Sequence, residues 1–317
     1  MIDHRSLANR REWQTRFRRV MLALVFCWPT SAAFSVEPAA DKGKTVSFTI
    51  QYTITATDKT DKVVLTTLVP VTIPGKQKIS QLQFSTPPQQ QFEEDGRKYA
   101  VFVFTDFKKP VTIQINAVAE IYRNDLTVIA DRARDKKIPD EATSRWLAHE
   151  KNLEKDSAAI KEVAKTFVKS GDMETVEEIL VYLEKTVKYG GFSQKDRGAL
   201  GTLGEKRGDC GDFSDLFVAL CRAKGIPARI CDGYVTEGVP KGDTPSHTWA
   251  EVRINKLGWV PVDPLGIVLK GTTLKTMPNK YVHMSNIRND DHLLGNHLVV
   301  YRYFGKPIDF KDAFIVK

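Results

Sequence analysis

Residues 208–229 read GDCGDFSDLFVALCRAKGIPAR. Phe213, Leu216, Phe217, Ala219 and Leu220 recur at helical spacing, so the segment is one amphipathic helix, and Gly225 and Pro227 stop it. Cys210 stands directly ahead of the apolar stripe, between Asp209 and Gly211. Free backbone N–H groups and the positive end of the helix dipole favour a thiolate there, whereas an ordinary thiol of pKa about 8.5 is only a few per cent ionised at neutral pH. Taken alone, a core thiol is the better reading of Cys210; its partners have to decide.

Downstream, strands alternate with turns: Ala228 to Val235, a loop through Pro240 and Gly242, His247 to Ile254, a turn at Asn255 to Gly258, and Trp259 to Val262. His247 opens one strand and Asp263 follows the next, so a hairpin brings the two side by side. Cysteine, base and orienting carboxylate then make the set that acyl transfer requires. Singly, His247 reads as an ordinary strand residue and Asp263 as the first half of an Asp-Pro turn. Upstream, two helices fill the stretch from about Asp140 to Lys188, parted by Gly171, with Asp156 and Asp172 as expected N-caps. A glycine-rich connection (Gly190, Gly191, Gly198, Gly201, Gly204) leads on to Cys210. From Lys44 to about Asn124 the pattern is period two, with Val46, Phe48, Ile50, Tyr52 and Ile54 apolar, and further β-branched runs separated by Pro74-Gly75, Pro87-Pro88, Asp95-Gly96 and Lys109-Pro110. That spacing predicts a β-sandwich, in a structural or substrate-positioning role.

The joint context decides for chemistry. Gly208-Asp209-Cys210, Leu220 to Arg229, His247-Thr248-Trp249-Ala250-Glu251-Val252 and Gly258-Trp259-Val260-Pro261-Val262-Asp263-Pro264 occur in this order. The series resembles the bacterial transglutaminase-like superfamily, specifically over about residues 175–265. The resemblance implies an α+β fold: a papain-like transglutaminase core, helices packed on an antiparallel sheet, preceded by an all-β sandwich-like domain. Expected boundaries are 1–35 for an export signal, 36–128 for the sandwich and 129–317 for the catalytic domain. It further implies Cys210 as nucleophile, His247 as general base and Asp263 as its orienting partner. An oxyanion hole would use the Cys210 N–H and a second donor, for which Tyr189 is the candidate. Trp249 is a candidate groove residue, with core packing the commoner role for it and for Trp259.

Lys and Arg total 47 against 39 Asp and Glu, a net charge of +8, but Arg5, Arg10, Arg11, Arg16, Arg18 and Arg19 lie in the first 35 residues, opposed only by Asp3 and Glu12. The remainder is mildly basic, without the aromatic-interleaved basic run of a nucleic-acid groove. The arginines instead precede a short apolar run, Val20 to Trp28, then Pro29 and small residues, as in a Sec or twin-arginine export signal cleaved near Ala33 or Ser35. Nine apolar residues fall short of the roughly 20 needed to span a bilayer. A periplasmic or extracellular protein is expected, with no membrane span once the signal is removed.

Removal of Cys27 leaves Cys210, Cys221 and Cys231. A Cys221–Cys231 disulfide is the one pairing that spares Cys210, and plain buried thiols are the commoner arrangement. Asp209, Asp212 and Asp215 cluster around the nucleophile but supply too few oxygens for a hard cation, and two of them can cap and face solvent. His283, His292 and His297 match no zinc spacing. No metal and no cofactor are therefore expected. The expected partner is a protein or peptide substrate, with the cell envelope as one source of it. The expected function is an exported thiol enzyme acting on amide bonds, as peptidase, amidase or glutamine acyltransferase. The rival from another class is a non-catalytic envelope binding or scaffold protein.

Overall fold

Alternation of apolar and polar side chains becomes strand β1 (Lys44–Thr55), in which Val46, Phe48, Ile50, Tyr52 and Ile54 are all buried. Strands β2 (Thr60–Val69), β3 (Gln77–Phe84), β4 (Gln90–Glu94), β5 (Arg97–Phe104) and β6 (Val111–Ile121) follow. Only β4 departs from the expected set: with Phe92 as its lone apolar residue it has no readable period, and it exists because a tight turn folds it back on β5. Asp95 and Gly96 both take positive φ, 49° and 74°, the backbone a two-residue hairpin turn demands. This computed structural model describes residues 43–56, 59–105, 107, 109–124, 126, 128–130, 143–193, 195–239 and 244–317, all within one unit, Asp41–Lys317. The expected export signal, with Cys27, lies outside the described residues.

Helices α1 (Ala158–Lys165) and α2 (Asp172–Thr186) stand where the periodicity places them, but their caps differ from expectation. Ser157, not Asp156, caps α1 by accepting from the Ile160 N–H, and Asp172 is the first residue of α2, after Gly171. Next come β7 (Lys188–Tyr189), α3 (Gly198–Glu205), β8 (Arg207–Gly208), α4 (Cys210–Ala223), β9 (Ala228–Val235), β10 (Ser246–Ile254), β11 (Gly258–Val262), α5 (Pro264–Val268) and β12 (Tyr281–Ser285). α3 corrects the expectation of an irregular connection. Its glycines lower helix propensity, yet Gly198 is buried against the Asn152 backbone, where a Cβ would collide, so packing holds the helix that propensity argues against.

The antiparallel sheet β11-β10-β9-β12 is covered by α4. Phe213, Leu216, Phe217, Val218, Ala219 and Leu220 are fully buried, sharing one core with Ile230, Ala250, Val252 and Val262 of the sheet and with Ile179 and Leu183 of α2. The last two strands, β13 (Val299–Gly305) and β14 (Asp309–Val316), turn away from it. They complete two four-stranded antiparallel sheets, β14-β1-β6-β3 and β13-β2-β5-β4. Both strands thus pair with edges of β1 and β2 that the N-terminal strands alone would leave open.

The sandwich core runs on into the other sheet. Tyr234 of β9 stacks on Phe314 of β14 with ring centroids 4.4 Å apart. Gln77 at the start of β3 is buried, its side-chain amide donating to the His283 carbonyl (2.9 Å) and accepting from the His283 N–H (2.8 Å). Lys76 pairs with buried Glu251 of β10, which Arg229 also holds at 2.8 Å.

Candidate active site

The head of α4 is built by its own side chains. Asp209 is the N-cap, accepting from the N–H groups of Gly211 (3.0 Å) and Asp212 (3.3 Å), while Asp212 accepts in return from the Asp209 N–H (3.1 Å), a capping box. Asp212 is itself held by the Arg197 guanidinium at 2.8 Å. Burial works to raise its carboxyl and Arg197 works against that. Gly208 must be glycine, because a Cβ would run into the Asp212 side chain. Cys210, the first residue of the helix, is half-buried with a free thiol.

Across from it, His247 sits near the start of β10, opposite Gly233 of β9. The β10–β11 hairpin turns through Lys256 and Gly258, at φ 64° and 81°, and returns the chain to Asp263. His247 Nε2 and Asp263 Oδ2 are 2.8 Å apart. Asp263 is buried and doubly supported: Oδ2 also accepts from the Tyr281 hydroxyl (2.8 Å) and Oδ1 from the Gly266 N–H (2.8 Å), so it caps α5 as well. Cys210 is near enough to the imidazole for its charge and hydrogen bonding to act on the ring. Burial pulls the His247 pKa down, but Asp263 and then Cys210 outweigh it and lift the value to about 10. Burial likewise works to raise the Asp263 carboxyl, and His247, the Gly266 N–H and the Tyr281 hydroxyl hold it below the ordinary carboxylate value. At neutral pH the pair is an imidazolium against a carboxylate.

The superfamily model described as transglutaminase-like matches residues 161–264, from within α1 to the residue after Asp263. This chain carries a transglutaminase-like core. The crystal structure of a candidate cysteine protease from Cytophaga hutchinsonii superposes over 86% of this chain and 92% of its own, with a TM-score of 0.59 at 18% identity, which shows a shared fold. The periplasmic domain of TgpA from Pseudomonas aeruginosa aligns over 74% of this chain and 92% of its own, with a TM-score of 0.31 and 14% identity. No curated protein matches the chain. No helix among the described residues is long and apolar enough to cross a membrane.

Around the transglutaminase-like core's Cys210, His247 and Asp263, the other expected residues take varied places. Trp249 is buried, its ring roughly parallel to His247 with centroids 6.2 Å apart and tilted against Tyr281 at 5.1 Å, and it lines a pocket together with Met277, Tyr281 and His283. Tyr189 is half-buried in β7, bridged in parallel to Gly208, two residues before Cys210. Cys221 and Cys231 are separate buried thiols, both pushed far up by burial. Asp215 does not face solvent: it is fully buried and bonded twice by Arg288, at 2.9 and 3.1 Å. Among the described residues no three His, Cys, Asp or Glu side chains form a metal-binding group. Sequence reasoning missed Tyr281, Arg197 and Arg288, which reach the site only through strand register or long-range packing. It also set aside His297, which stands beside the head of α4.

Proposed function

We propose that the protein is an exported thiol enzyme that cleaves or transfers amides through Cys210, His247 and Asp263. One observation carries this reading: a half-buried thiol on the first turn of a capped helix faces an imidazolium whose other ring nitrogen is held by a buried carboxylate. The Cys210 sulfur attacks as the thiolate whose proton His247 holds, forming a C–S bond to the amide carbonyl carbon while the carbonyl π pair moves to oxygen. Collapse restores the carbonyl and breaks the C–N bond, and His247 gives its proton to the departing nitrogen. The thioester is then resolved by water, which passes a proton to His247 as thiolate leaves, or by an amine, which yields a new amide. Hydrolysis is the favoured branch, since no dedicated amine site is evident; the description of the Cytophaga hutchinsonii neighbour as a candidate protease accords with it.

Export is part of the proposal, supported by the arginine-led apolar segment before Pro29. The decisive experiment is intact-mass detection of an acyl adduct after incubation with glutamine peptides, cell-wall peptides and primary amines. The adduct should appear on the wild type and be absent from Cys210→Ala, which keeps its fold because a small half-buried thiol fills little core volume. Inactivation by Cys221→Ala or Cys231→Ala with a silent Cys210→Ala would overturn the assignment.

A further inference from the structure

A second histidine–aspartate pair stands beside the head of α4. His297, from the segment leading into β13, bonds through Nδ1 to Asp232 Oδ1 at 2.7 Å. Asp232 lies on β9 with 1% of its side chain exposed, accepts from the Thr248 hydroxyl at 2.7 Å, and keeps its Oδ2 buried without a partner among the described residues. A buried carboxylate this sparsely satisfied is tolerated only against a cation. His297 is the one cationic side chain within hydrogen-bonding reach of it among the described residues. Nδ1 therefore donates to Asp232, and in the imidazolium form the ring's outer edge presents Nε2–H.

That edge points at the head of α4. Cε1 and Nε2 of His297 lie 3.9 and 4.0 Å from the position a Cβ would take on Gly211, the residue after the nucleophile. The side chain is 36% exposed, so solvent reaches it, and no acceptor among the described residues takes Nε2. Asp209, for its part, is occupied by the N–H groups of Gly211 and Asp212, which leaves the Cys210 N–H without an acceptor among the described residues. Two unspent donors thus stand at the head of α4, the N–H of the nucleophile itself and the His297 ring beside the residue that follows it.

We propose that His297, fixed by Asp232, is the second oxyanion donor: with the Cys210 N–H it binds the carbonyl oxygen that becomes negative when the sulfur attacks. This rests on the acyl-transfer reading above and supplies the donor for which Tyr189 was the sequence's candidate. Charge on the ring suits the role, since burial works against the imidazolium but Asp232 outweighs it and raises its pKa above the ordinary histidine value. Other charged groups facing the ring are Arg288, which opposes that rise, and Asp215, which favours it.

Two probes separate the role from its alternatives, because iodoacetamide alkylates a thiolate without creating an oxyanion whereas p-nitrophenyl acetate acylates through one. Rate constants for mass addition at Cys210 are measured for wild type, His297→Ala and His297→Gln, whose amide can still donate. Expected is an unchanged alkylation rate in all three, acylation slowed on the order of a hundredfold in His297→Ala, and partial recovery in His297→Gln. Equal acylation in wild type and His297→Ala would overturn the inference and leave the thiol-enzyme reading standing. So would alkylation and acylation falling together, or no recovery with glutamine. A wild type whose Cys210 is not acylated fells the proposed function itself, and this inference with it. Should His297→Ala not fold, His297→Gln carries the comparison: it must acylate more slowly than wild type while alkylating at the same rate.

Discussion

Asp263 holds three groups at once: the His247 imidazole, the Tyr281 hydroxyl and the Gly266 N–H. Asparagine there would keep the size and one acceptor oxygen but lose the charge, so the imidazolium would shed its proton at lower pH. Asp263→Asn should lower kcat/KM by more than about tenfold, roughly 1.4 kcal/mol, yet by less than Cys210→Ala, and should move the alkaline limb of the pH profile downward. An unchanged rate and profile would reduce Asp263 to a turn residue ahead of Pro264. The same pair predicts a stability effect. A histidine raised from 6.5 to about 10 in the folded state contributes stability that is full below pH 6.5 and is lost as pH rises through 10. The melting temperature of the wild type should therefore decline across that window, and His247→Gln should flatten the decline; parallel curves would assign it to other groups.

At the scale of the element, α4 is a helix whose first turn carries the proposed nucleophile and whose remaining turns are core. Its capping box fixes the Cys210 N–H and sulfur relative to the sheet, and Asp209 contributes both the cap and a bond from the Ser193 N–H at 3.1 Å. Asp209→Ala should cost about 1–2 kcal/mol in chemical denaturation, with Asp209→Ser restoring most of it. Equal stability of the alanine and serine variants would show that buried apolar contacts alone hold the helix head. The motif is readable as Asp-x-x-Asp ahead of an apolar run, so the cap was within reach of sequence. Burial of Asp212 under Arg197 was not, because Arg197 is the N-cap of α3, a helix whose glycines hide it from any propensity argument.

Across the whole molecule, the two ends of the described chain meet in one sandwich, and that sandwich leans on the sheet β11-β10-β9-β12. Phe314 of β14 stacks on Tyr234 of β9 and packs at 5.0 Å from Phe48 of β1, joining the last strand to both. Phe314→Ala should destabilise the protein by about 3–5 kcal/mol and lower the midpoint of a single cooperative unfolding transition followed by both near- and far-ultraviolet circular dichroism. Two separated transitions would mean that sandwich and core unfold independently. Lys76, reaching from the sandwich to Glu251 beside Arg229, makes the same connection in charge: the Glu251 carboxyl is held far below its ordinary value, its burial outweighed by Lys76 and Arg229.

The sequence by itself determined what short-range pattern controls. Period two placed β1, apolar helical spacing placed α4, and a four-residue turn was enough to pair His247 with Asp263. Cys210 was legible because a helix start is a local event. What only tertiary structure decided are contacts made by register and closure between distant segments: Tyr281 on Asp263, His297 and Asp232 beside Gly211, Arg288 on Asp215, and the return of β13 and β14 to the N-terminal strands. β14 exposes most of its residues and carries Asp309, Lys311 and Asp312, so its own alternation is weak. It becomes a strand because β1 offers it an open edge of unpaired N–H and C=O groups, a fact of the assembled sheet rather than of the segment.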